Sequence, residues 1–184
     1  MNGSLLVSVE GEPKSFLPPA SFYIMNIFYL DEDPIVISEM MCDKHNVKMI
    51  LESAQMLSTA HRVLDGDEFA DEHEMYKATH KNHPSAVWTR TTDENYDWHF
   101  DLFKAMLGEY TFRYGKLHKC MDLFYPLERR PRNIPMGEFT PPPQCMPDEY
   151  KCDDTVEAYR KYYIGEKAGF AKWKAREVPS WFSV

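Results

Sequence analysis

Residues 42–62, CDKHNVKMILESAQMLSTAHR, carry a helical period that restricts the fold more than any other stretch of the chain. At 100° per residue, Val47, Ile50, Leu51, Ala54, Leu57 and Ser58 fall on one face. Lys44, Lys48, Glu52, Gln55, Thr59 and Arg62 form a second, wholly polar stripe about 80° wide. The apolar face needs a partner surface, so this helix is expected at the centre of a helical assembly. The polar stripe has two readings. It is a solvated face with a Lys48–Glu52 pair one turn apart, or the wall of a polar pocket.

The flanking sequence supplies the partners. Asp43 is placed to cap the central helix, and Asp65-Gly66-Asp67 to end it near Leu64. Met25–Leu30 has the apolar, aromatic content of a short buried strand or extended segment, and Pro34, after three acidic residues, opens a helix to about Met41. Thr91-Thr92-Asp93-Glu94 is a capping box that starts a long helix running to about Lys116. On it Tyr96, His99, Phe100, Phe103, Leu107, Tyr110 and Tyr114 share about 100° of arc, the pattern of a principal core element; a stacking platform for bases is the other use of such a file. Pro126, Pro131, Pro135, Pro141, Pro142, Pro143 and Pro147 then force an extended excursion. Asp153-Asp154-Thr155 caps a last helix from Val156 to about Arg176, and Trp181 and Phe182 are placed to dock on the body. The expected fold is mainly α: a single compact helical domain over 25–184, with a short N-terminal extended segment and a proline-rich irregular arm at about 121–150.

Residues 1–24 mix glycine and proline without a sustained period, and Met25 reads as a natural start, which makes 1–24 an extension. With a net charge of −8, the chain is ill-suited to hold duplex DNA mainly through phosphates, because that binding depends on Lys and Arg displacing counterions. Cys42, Cys120, Cys145 and Cys152 show no C-x-x-C spacing, and no signal peptide is recognised, so reduced thiols in a cytoplasm are expected. No apolar run approaches the ~20 residues that cross a bilayer. No motif calls for a cofactor.

Chemistry-bearing residues concentrate in two places. One is the polar stripe with His45 beside it. The other is His80-Lys81-Asn82-His83 ahead of Pro84, where a helix N-terminus with basic and amide side chains makes a phosphate or carboxylate site, or where the histidines simply cap neighbouring helices. Two histidines three apart, without a third ligand, do not make a metal site. Glu128-Arg129-Arg130-Pro131-Arg132 is the most basic run; it meets phosphate or stays in water.

Asp43-Lys44-His45, Lys48, Glu52 and Gln55, followed by Lys81-Asn82-His83-Pro84 and Trp88, resemble the pattern of the pyrimidine-dimer DNA glycosylase (endonuclease V-like) superfamily over residues 25–118. From Met25 onward the chain also resembles uncharacterised proteins of tailed marine phages. The resemblance implies a compact all-α fold and N-glycosidic chemistry on a damaged or modified nucleobase, in DNA or a nucleotide. It implies an amine that attacks the sugar C1′ and a helix glutamate that supports it, matched here by Glu52 and expected to be ionised. The family's amine is N-terminal; with 24 residues ahead of Met25, Lys44 or Lys48 is the substitute. His45, Gln55, Arg62, His80, Lys81, Asn82 and His83 are the candidate phosphate and substrate contacts. Two other classes compete: a non-catalytic nucleotide-sequestering protein using the same basic pocket, and an interaction protein, including a homo-oligomer, that uses the arm and tail.

Overall fold

The computed structural model describes residues 25–183, so the reading of residues 1–24 as an extension lies outside the described residues. The chain is mainly α, and no strand occurs among the described residues. Among the described residues seven α-helices follow in order: α1 (Pro34–Met40), α2 (Asp43–Asp65), α3 (Glu68–Glu72), α4 (Pro84–Thr89), α5 (Asp93–Tyr114), α6 (Phe124–Glu128) and α7 (Thr155–Lys167). The two long ones, α2 and α5, pack against each other, with α1 on α5 and α4 on α2. Every residue from Met25 to Leu30 is buried, as an extended segment without a β partner. It is held by side chains: Asn26 Nδ2 donates to the Cys145 carbonyl (2.8 Å), Tyr159 Oη to Asn26 Oδ1 (2.7 Å), and Phe28 stacks on His45 at 4.2 Å.

Helix α2 is encircled rather than laid on a core. Val47 and Leu51, expected in the apolar face, are 39% and 37% exposed, while His45, Asn46, Glu52, Ser53, Thr59, His61 and Arg62 are buried. The physical reason is that His45, Ser53, Thr59, His61 and Arg62 find partners on α5, α7 and the 75–80 segment, so burying them costs less than hydropathy alone implies; the Asn46 amide is buried without a hydrogen bond among the described residues. Caps also shift. Cys42, not Asp43, precedes the first turn, and the Asp43 carboxylate instead accepts from the Lys174 N–H (2.9 Å) and Arg113 Nη1 (3.0 Å).

The start of α5 is one residue later than the capping-box reading: Thr92 accepts from the Asn95 N–H (3.1 Å). The arm explains the shift. Its backbone N–H groups at Gly137, Phe139 and Thr140 donate to Asp93 (3.0 Å), Glu94 (2.8 Å) and Asn95 (2.9 Å), so the first turn of α5, capped by Thr92, also straps the arm. Tyr96 through Tyr110 of the aromatic file are buried, which makes it core and leaves no platform for bases. Helix α7 stops at Lys167 rather than near Arg176. Beyond it the tail turns back, with Trp173 Nε1 donating to the Met40 carbonyl (2.8 Å) and Arg176 bound to Glu109 (2.8 Å).

Arg113 is the polar centre of that end. Its side chain has no solvent exposure and contacts Glu109 (2.6 Å), the carbonyls of Met41 (2.9 Å) and Glu39 (2.9 Å), and Asp43. Arg113→Met removes one of the two arginine partners of Glu109 and leaves the buried carbonyls of Met41 and Glu39 without that donor, so a loss of about 1–3 kcal/mol is expected by urea denaturation.

Three buried histidines add a pH dependence. Burial pushes His45 and His99 down to about 3 and His61 to about 4; Lys167 and Lys48 further depress His45. Each ring is neutral when folded and titrates near 6.5 when unfolded, so the unfolded chain binds more protons between those values. Their contribution to stability is therefore complete above pH 6.5 and lost as pH falls toward 4. With all three contributing, urea denaturation is expected to show a loss of up to about 4 kcal/mol per pH unit below pH 6.

Candidate functional site

Glu52 lies midway along α2 and is 4% exposed. Its Oε2 accepts the Asn26 N–H at 3.3 Å, and Lys48 Nζ, one turn earlier, stands 3.1 Å from Oε1. The ammonium is off hydrogen-bond alignment, and among the described residues no other donor reaches Oε1. Burial raises the Glu52 pKa above the ordinary carboxylate value; Lys48, the Asn26 N–H and the field of His80 oppose that rise without cancelling it. Burial and the Lys48 ammonium thus act in opposite directions on one carboxyl, with the net shift upward.

The facing wall comes from residues 75–80, laid along the polar stripe by successive bonds. Arg62 donates to the carbonyls of Tyr76 (2.7 Å) and Met75 (3.0 Å), and Thr59 Oγ1 accepts the Thr79 N–H (3.2 Å). One step further, His80 comes within electrostatic reach of Glu52. Its backbone is in the left-handed region (φ 46°), uncommon for a non-glycine residue, and Thr79 Oγ1 lies 2.7 Å from its Nδ1. The Thr59–Arg62 end of the stripe and residues 75–79 therefore lie side by side. Lys81 and Asn82 follow, exposed, with no side-chain hydrogen bond or ion pair among the described residues.

Other sequence candidates have different placements. Arg62 is committed to Asp67 (2.6 Å), Asp71 (2.8 Å) and the two carbonyls, so it fastens the loop instead of standing free for a ligand. His83 is buried and its ring accepts the Ser85 N–H (3.2 Å). That bond takes the first free donor of α4, a helix of only six residues, which is the capping use of a histidine that the sequence left open. His45 is buried, its Nδ1 hydrogen-bonded to Tyr163 Oη (2.7 Å), which also accepts the Cys42 N–H (2.9 Å). Lys44 is exposed, 4.7 Å over the Phe170 ring, and Gln55 is half-buried between Glu52 and Thr59 on the helix.

The arginine run is divided. Arg130 pairs with Asp93 (2.7 Å) and Asp97, and Arg129 covers the Phe69 ring at 4.8 Å. With His61, Asp65, Glu68 and Arg132 they line a separate cleft of about 250 Å³ whose charges are mixed. Among the described residues no three His, Cys, Asp or Glu side chains are grouped as metal ligands, and no helix is long and apolar enough to cross a membrane.

The local pattern does not disclose Asn26 or Lys167. Asn26 is a lone polar residue in an apolar run, a signal that could have flagged it; Lys167 carries none, since its relation to Lys48 depends on how α7 docks. Comparison with protein-family models, with curated proteins and with solved structures finds no match.

The raised Glu52 pKa has a stability consequence. A carboxyl held above its unfolded value contributes stability below about pH 4.3, and that contribution is lost as pH rises through the folded value. Glu52→Gln keeps the shape without the charge. Its melting temperature is expected to exceed that of the unaltered protein at pH 7, with the difference vanishing near pH 4.

Proposed function

We propose that this protein acts on the N-glycosidic bond of a damaged or modified nucleobase, in DNA or a nucleotide, as a DNA glycosylase-like enzyme. The observation that carries the reading is the buried Glu52 carboxyl, its pKa raised by burial, with Lys48 at 3.1 Å and the Asn26 N–H at 3.3 Å. A departing base needs a proton, and the sugar it leaves gains positive charge; a carboxyl that gives up its proton and remains as carboxylate serves both needs in turn. The net charge of −8 favours a nucleotide or a short unpaired strand over a long duplex.

The attacking amine implied by the resemblance has two local sources. Lys48 is in contact with the carboxylate, and Lys44 is one turn before it. The Asn26 nitrogen is the other neighbour, at 3.3 Å, so in a chain begun at Met25 the terminal amine would stand one residue from Glu52. Base release from modified deoxynucleotides and short modified strands, followed by mass spectrometry, is the direct test. Glu52→Gln is expected to lower release by at least about 10²-fold, the usual contribution of a general acid. Borohydride is expected to trap a covalent adduct, and peptide mapping of the full chain and of one begun at Met25 identifies the amine. No release and no adduct with any of these substrates would remove the reading.

A nucleotide-sequestering binder is the second reading, favoured by Lys44, Lys81 and Asn82, which make no ion pair or side-chain hydrogen bond among the described residues. Such a protein needs no acid. Intact ligand recovered from a stable complex, with affinity unchanged in Glu52→Gln, would decide for it.

A further inference from the structure

The cleft of about 250 Å³ at the end of α2 is lined by charges of both signs that do not meet. Glu68 and Glu72, one turn apart on α3, contribute the acids; Arg129 and Arg132, in the stretch that follows α6, contribute the cations. Among the described residues none of these four side chains has an ion-pair partner or a hydrogen bond, although they line one cavity.

Neighbouring contacts hold the two elements in place and leave those four groups over. Arg62 of α2 fastens α3 through Asp67 (2.6 Å) and Asp71 (2.8 Å), so Glu68 and Glu72 take no part in the anchoring. On the arm, the Asp65 carboxylate accepts the Arg132 N–H (2.6 Å) and the Asn133 N–H (3.0 Å), which fixes the backbone at Arg132 and leaves its guanidinium unattached. Arg130 is spent on Asp93 (2.7 Å) and Asp97. Arg129 is laid over the Phe69 ring at 4.8 Å, and that ring stands 5.4 Å from the ring of His61.

His61 adds an unpaired nitrogen to the lining. It is 2% exposed, with Nε2 on Tyr96 Oη (2.9 Å) and Nδ1 without a hydrogen-bond partner among the described residues. A buried polar atom left unpaired is costly, and a polar ligand relieves that cost where an apolar one does not.

Two unpaired carboxylates and two unpaired guanidiniums cancel in charge. A simple anion would be repelled by Glu68 and Glu72, and a simple cation by Arg129 and Arg132, whereas a molecule with one group of each sign is attracted by both elements. A guanidinium fork matches a carboxylate bidentately, and a carboxylate accepts from an ammonium. An α-amino acid carries both groups on one carbon, which suits a cavity of this small size. We propose that this cleft binds a free α-amino acid, its carboxylate held by Arg129 and Arg132 and its ammonium by Glu68 and Glu72. Glu52 is not in the lining, and the inference does not rest on the glycosidic reading.

Titration calorimetry of the full chain with each of the free L-amino acids is the test. At least one is expected to bind with a Kd of about 1 mM or tighter, the scale of two charge-assisted contacts. The N-acetyl derivative of that amino acid lacks the ammonium and its amide lacks the carboxylate; each is expected to bind at least about tenfold more weakly, the factor that one charge-assisted hydrogen bond supplies. Glu68→Gln combined with Glu72→Gln, and separately Arg132→Gln, change exposed side chains that make no contact the fold needs. Both variants are expected to keep the melting temperature and to lose about tenfold in affinity. No amino acid bound at about 10 mM, a derivative bound as tightly as its parent, or unchanged affinity in either variant would overturn the site. Neither result bears on base release, so this site and the glycosidic reading stand or fall separately.

Discussion

The guanidinium of Arg113 is the contact on which the arrangement of this protein depends. It gathers the end of α1, the start of α2, the last turn of α5 and, through Glu109, the Arg176 tail into one closed set of charges and carbonyls. A planar group with five fixed donors suits such a junction, where a lysine would offer a single point of charge. By joining the carbonyls that follow α1 to the first residue of α2, it sets how the central helix leaves the junction. Glu52, about two turns further along that helix, inherits its position from there.

A second system of polar contacts fixes the other side of α2. Ser53 donates to His99 Nε2 (3.0 Å), His99 Nδ1 to Thr89 Oγ1 (2.8 Å), and Thr89 Oγ1 to the Ser85 carbonyl (2.8 Å), an unbroken line of donors from α2 through α5 to α4. Each atom has its partner, so the line stabilises one relative position of three helices and disfavours others. A helix bordered in this way can carry a buried carboxylate on its remaining face. The walls around Glu52 are held by bonds that do not involve it.

Much of the helical layout was legible in the sequence. Proline at the start of α1, the turn at Gly66 and the aromatic file of α5 are local signals, and local interactions decide them. Three things were not legible, each for a non-local reason. Val47 and Leu51 carry the apolar period of α2 yet face outward, because buried Thr59 and Arg62 find partners in a loop 14 to 20 residues away. The end of α7 is decided by a tail that gains more from Met40, Asp43 and Glu109 than from another helical turn. At the candidate site, Glu52 and Lys48 can be read as a pair from their spacing, whereas the approach of Asn26, His80 and Lys167 depends on tertiary contacts.

The extended segment at Met25–Leu30 has a consequence for how the chain reaches this structure. It stands early in sequence but is held by α7: Tyr159 reaches Asn26 across 133 residues, and Phe28 meets Tyr163 edge-on at 5.4 Å. Contacts of such separation form only after a long loop closes, so they belong to the slow, late part of folding. During synthesis the segment must wait, apolar and unpaired, until α7 has emerged. The surroundings of Glu52 are thus among the last to be assembled, and a chain that stops short of α7 lacks them altogether.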